Sequence, residues 1–88
     1  MNVTFWPTGW KDYRHWQDHD DKICDNTNTL IDECRRNPFK GTGKPETLGG
    51  NLSRWWSRRI NQEHRLVYRV EGKGGEQTLQ VAQCRYHY

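Results

Sequence analysis

Arg54, Arg58, Arg59, Arg65 and Arg69 all fall between residues 51 and 70, the densest positive charge in the chain. A guanidinium is a planar fork of donors that holds a phosphate through two parallel hydrogen bonds. Five of them on rigid backbone point to a polyanionic ligand. Candidates for moving protons are fewer. His15 and His19 are four residues apart, a spacing that can bind metal, but no third ligand or HExxH context accompanies them, so they read as surface residues. His64 falls in a polar turn. His87 has a side chain whose ordinary pKa suits proton transfer, and the residues alone leave open whether it is functional or incidental. Glu46 follows Pro45 in a glycine-rich stretch, where a solvated loop acid is the commoner reading. Cys24, Cys34 and Cys84 are odd in number and contain no CxxC pair, which argues against a disulfide framework and a zinc knuckle and predicts reduced thiols.

The elements that must position these groups follow from periodicity. Residues 52–60 and 65–70 alternate at the strand period, with residues 61–64 as the turn of a hairpin. In the first arm Trp55, Ser57 and Arg59 share one face, while Arg54, Trp56, Arg58 and Ile60 share the other. In the second, Leu66, Tyr68 and Val70 oppose Arg65, Val67 and Arg69. The expectation is one apolar face and one guanidinium face. Residues 2–6 form a short strand stopped by Pro7, and a first helix runs over 9–19 with Thr8 as its cap and Trp10, Tyr13 and Trp16 as a core stripe. A second helix over 21–36 buries Ile23, Thr27, Leu30, Ile31 and Cys34, starts at Asp20 and Asp21, and ends before Pro38. Residues 39–50 form a loop without a Walker or dinucleotide fingerprint, and residues 77–85 a last strand. The aromatic tail at Tyr86 to Tyr88 reads as pinned to the sheet.

With 88 residues there is room for one domain, 1–88, near the lower limit for a core without disulfides or metals. Five Trp, four Tyr and two Phe must carry that core. The net charge of +3 hides a division. Residues 1–34 hold three basic against seven acidic groups, whereas residues 35–88 hold eleven against four. A basic half with interleaved aromatics fits nucleic acid, whose phosphates supply affinity and whose bases stack on rings. There is no basic leader with an apolar run and no stretch of membrane-spanning length, which predicts a soluble cytoplasmic protein with no membrane partner.

Several longer motifs carry a family resemblance: Asn37-Pro-Phe, Gly41-x-Gly-Lys-Pro-Glu46, Asn51-Leu-Ser, Trp56-Ser-Arg-Arg-Ile60, Glu63-His-Arg-Leu-Val-Tyr68 and Cys84-Arg-Tyr-His-Tyr88. In these the chain closely resembles the Txe/YoeB family of RelE-like type II toxins, over nearly its whole length. It departs at residues 71–76, a longer hairpin connection, and at Trp55-Trp56, which doubles an aromatic position. The resemblance implies an α+β, RelE-like fold: a twisted antiparallel sheet with two N-terminal helices on one face, in the order β-α-α-β-β-β. It implies a ribosome-dependent endoribonuclease that cuts mRNA in the A site of the 70S ribosome, against 16S rRNA, and is neutralised by a YefM/Phd-type antitoxin. Carried over, Glu46 is the general base, Arg65 the phosphate-stabilising cation, His87 the general acid and Tyr88 a positioning group. Arg59, Arg58 and Lys44 are expected to bind substrate, with no metal and no cofactor. A homodimer joined through the Trp55-Trp56 surface and a pure core role for that pair stay open.

RNA chemistry asks for the same three groups. Attack of a 2′-hydroxyl on the adjacent phosphorus needs a base, an acid for the leaving 5′-oxygen, and positive charge on the phosphorane. Carboxylate, imidazole and guanidinium supply them. A nonenzymatic nucleic-acid module and a receiver of acidic peptides are the competing readings, distinguished by the lack of strand scission.

Overall fold

The second helix, α2 (Asp21–Arg36), forms where the apolar spacing places it, burying Cys24, Thr27, Leu30, Ile31 and Cys34. Asp20 caps it by accepting from the Ile23 N–H at 3.1 Å. The computed structural model describes residues 1–52 and 54–86. Helix α1 (Pro7–His19) starts earlier than expected, because proline fits the first turn, where its missing N–H is not needed. Thr8 therefore lies inside the helix and does not cap it. Of the aromatic stripe, Trp16 is buried and Tyr13 half-buried, but Trp10 is 48% exposed. The face that meets the sheet is set by Gly9 and Trp16 instead. A Cβ at residue 9 would lie 2.5 Å from the Val81 carbonyl oxygen, and the Trp16 indole donates to the Cys84 carbonyl at 2.8 Å. The two helices are joined by Tyr13, whose hydroxyl donates to Asn28 Oδ1.

Among the described residues, five strands form one sheet in the order β1-β5-β4-β3-β2: β1 (Asn2–Phe5), β2 (Glu46–Thr47), β3 (Trp56–Arg59), β4 (Arg65–Glu71) and β5 (Thr78–Gln83). The sheet is mixed, not wholly antiparallel. β1 lies parallel to β5 (Asn2 opposite Thr78, Phe5 opposite Val81), a pairing that the two intervening helices make reachable. β2, inside the expected loop, pairs Glu46 with Ser57. The first hairpin arm is shorter than expected, because residues Gly50–Leu52 form a 3₁₀ turn before the ladder begins.

Both faces carry apolar side chains. On the helix side Trp16, Leu30, Ile31, Cys34, Leu66, Tyr68, Leu79, Val81 and Cys84 make the main core. On the other, Leu48, Trp55 and Val67 form a smaller cluster against Ala82. The three cysteines are free and buried. Among the described residues, no helix is long and apolar enough to cross a membrane.

Candidate nucleic-acid interface and acid–base site

Residues paired across a ladder share a face, so the register fixes what stands beside what. One row runs Glu46, Ser57, Val67 across three strands, on the face away from the helices. Two residues along, Arg59 is opposite Arg65 on that same face. Neighbouring strands are about 4.8 Å apart and residues about 3.3 Å, which places the Glu46 and Arg65 backbones roughly 12 Å from each other. A carboxylate and a guanidinium reaching inward from that separation can engage one phosphodiester.

Each group is held differently. Glu46 is exposed, on a strand that continues through the Leu48 N–H to the Trp55 carbonyl at 2.9 Å. Lys44, also exposed, has φ of 52°, a left-handed conformation, and sits beside Gly43, whose carbonyl accepts from the Arg59 N–H at 2.7 Å. Arg59 is exposed. The Arg65 side chain is anchored through Nη1, which donates to the carbonyls of Asn61 (2.8 Å), His64 (3.1 Å) and Gln62 (3.2 Å). Among the described residues its Nε and Nη2 meet no acceptor, and neither Glu46 nor Glu63 forms an ion pair with it. The chain end comes to the same place. The Tyr86 carbonyl accepts from the Arg65 N–H at 3.1 Å, and the Tyr86 N–H donates to His64 Nδ1 at 2.8 Å. His87 and Tyr88 lie outside the described residues.

Arg58, expected to bind substrate, does not reach the surface. It alternates onto the helix side of the sheet, where its side chain is 0% exposed. Its guanidinium donates to the carbonyls of Asn37 (2.6 Å), Lys40 (2.9 Å) and Thr42 (3.3 Å), to Glu33 (3.2 Å) and to the Tyr68 hydroxyl (3.1 Å). Burial pulls against its charge, but Tyr68 and, behind it, Cys34 and Glu33 more than offset that and raise its pKa. The Tyr68 hydroxyl donates in turn to the Pro38 carbonyl, and burial pushes its pKa upward. Arg58 thus fastens residues 37–42, the loop leading into Lys44 and Glu46. Arg69 is also engaged, lying 4.6 Å over the Trp55 ring and 5.4 Å over Trp6 while donating to Gln80. Trp55 is buried beneath this stack, and Trp56 packs half-buried against the main core. Sequence reasoning passed over His64, because a histidine in a polar turn gives no sign that its ring is buried against Trp16 and the chain end.

A mixed five-stranded sheet with two helices on one side and a basic, acid-bearing opposite face is the architecture of the RelE-like bacterial toxins. The structure superposes with a TM-score of 0.97 on a YoeB/ParE toxin from Agrobacterium tumefaciens, 49% identical over the whole of both chains. A YoeB–YefM toxin–antitoxin heterotetramer from Staphylococcus aureus contains a chain with a TM-score of 0.87 and 43% identity, covering 100% of this chain and 98% of that one. Toxin YoeB of Streptomyces coelicolor is 50% identical over the full length of both proteins. The model of the YoeB-like toxins of bacterial type II toxin–antitoxin systems matches residues 5–88, and the chain belongs to that family.

Proposed function

We propose that this toxin is an endoribonuclease that cleaves mRNA in the ribosomal A site by attack of the RNA's own 2′-hydroxyl. Glu46 takes the 2′-hydroxyl proton as the 2′-oxygen bonds to phosphorus. Arg65 stabilises the charge on the phosphorane, and His87 protonates the 5′-oxygen as its bond to phosphorus breaks. The products are a 2′,3′-cyclic phosphate and a free 5′-hydroxyl. Tyr88 positions the substrate, and Arg59 and Lys44 contact flanking phosphates. No metal is required, because carboxylate, guanidinium and imidazole fill the three roles.

One observation carries this reading: Glu46 and Arg65 share a sheet face, and the backbone one residue before His87 is hydrogen-bonded to Arg65. The ribosome supplies the mRNA held in place, which an exposed, shallow face needs for alignment. The partner that silences it is an antitoxin of the YefM/Phd type, whose acidic segments complement Arg59, Arg65 and Lys44. The YoeB–YefM assembly of the Staphylococcus neighbour supports that pairing. The test is to map the ends of a defined mRNA after incubation with toxin, with and without programmed ribosomes. Cuts bearing cyclic phosphate only when ribosomes are present are the expected result. Ribosome-bound mRNA that stays intact under conditions where the toxin binds would overturn it.

A further inference from the structure

We infer that His64 is a positioning residue, whose imidazole clamps the Tyr86 backbone beside Arg65. The inference rests on the proposed ribonuclease reading for its kinetic consequence, though not for its geometry. Tyr86 has φ of 63°, in the left-handed region that non-glycine residues seldom occupy and that persists only where surrounding contacts over-determine it. Its ring, 53% exposed, lies 5.7 Å from that of His64 and 4.6 Å below the Arg85 guanidinium. The backbone is held as well. Its N–H donates to His64 Nδ1 at 2.8 Å and its carbonyl accepts from the Arg65 N–H at 3.1 Å, so consecutive residues of one strand entry hold both polar groups of Tyr86.

His64 is built to stay in place. It is 6% exposed, its ring lies 4.6 Å from that of Trp16, and the Asn61 side chain accepts from the His64 backbone N–H at 2.7 Å. Accepting from an amide requires Nδ1 to be unprotonated, which puts the ring proton on Nε2, 3.7 Å from Glu63 Oε1. The turn that closes the hairpin therefore also redirects the chain after β5. Tyr86 immediately precedes His87 in the sequence, so the clamp holds the residue to which the proposed general acid is bonded.

His64→Leu keeps the buried bulk and removes the acceptor, whereas His64→Asn keeps an acceptor oxygen near the Nδ1 position. With mRNA on programmed ribosomes, His64→Leu is expected to lower kcat by roughly 10- to 100-fold, as for a catalytic group displaced by about 1 Å, while KM stays within about twofold. His64→Asn should recover most of that loss. Equal kcat for wild type and His64→Leu, or no recovery in His64→Asn, overturns the clamp. Nitrogen-15 NMR of the wild-type protein tests it without any variant or activity. A protected Tyr86 amide and the Nε2–H tautomer of His64 are expected, and a rapidly exchanging amide or an Nδ1–H tautomer refutes the clamp. Wild-type protein that cleaves nothing while showing both signatures faults the ribonuclease reading alone.

Discussion

Arg58→Met tests the physical centre of the scaffold. The substitution keeps much of the apolar stem and removes a charge that five acceptors surround: three loop carbonyls, the Glu33 carboxylate and the Tyr68 hydroxyl. Removing one member of a buried ion pair costs about 3–5 kcal/mol, because the partners stay behind without compensation. Glu33 retains the Thr42 N–H at 2.6 Å and is 23% exposed, and water can reach the loop carbonyls, so the lower end applies. A loss of about 3 kcal/mol is expected, which for a domain of this size lowers Tm on the order of 15 °C. Urea unfolding followed by circular dichroism measures it, with an unchanged m-value showing that the denatured state is not involved. Arg58→Lys should not rescue, since one ammonium cannot span acceptors on Asn37, Lys40 and Thr42 together. A loss below about 1 kcal/mol in Arg58→Met would refute the view that this guanidinium fastens the loop carrying Glu46.

Three further outcomes follow from contacts elsewhere. The Thr42 N–H and hydroxyl, followed by Arg58, hold the Glu33 pKa below the ordinary 4.5, so its contribution is complete above that value and lost as pH falls through the depressed folded pKa. The stability gap between wild type and Glu33→Gln should therefore be wider at pH 6 than at pH 3, and an equal gap would contradict this. Gly9→Ala forces a methyl against the Val81 carbonyl and should cost about 2 kcal/mol or more in urea unfolding, far outweighing the helix propensity gained. The Cys84 thiol, pushed up to about 12 by burial and the neighbouring Asp12, should resist iodoacetamide at pH 8 in the folded protein and react once urea is added. Mass spectrometry reads the difference, and rapid native alkylation would show that the chain end opens.

How far the sequence could be read depended on how local each cause is. Helix α2 was legible to the residue, because Asp20, the spacing from Ile23 to Cys34, and Asn37-Pro38 are all short-range signals. The hairpin turn was legible too, as was the attachment of Tyr86, the described part of the tail. The side on which Arg58 lands was already in the alternation, which grouped it with Trp56 and Ile60. Its role as a buried tie was not, because that depends on where residues 37–42 fold back. The parallel partner of β1 and the strand at Glu46 share this limit, since both are pairings between distant segments. Trp10 shows the reverse failure: its spacing fits a core stripe, but the close approach at Gly9 turned the helix to favour Trp16. For the candidate site, residue types came from family motifs, and the common face of Glu46 and Arg65 became visible only through the register of β2, β3 and β4.

The most direct measurement is single-turnover cleavage of mRNA on programmed ribosomes by wild type, Glu46→Gln and His87→Gln, each first shown to unfold at the wild-type urea midpoint. If the carboxylate and the imidazole work on one phosphodiester beside Arg65, each single change slows cleavage by about 100-fold or more, and the double change by much less than the product of the two. Cleavage by both single variants within a few-fold of the wild-type rate would contradict the account.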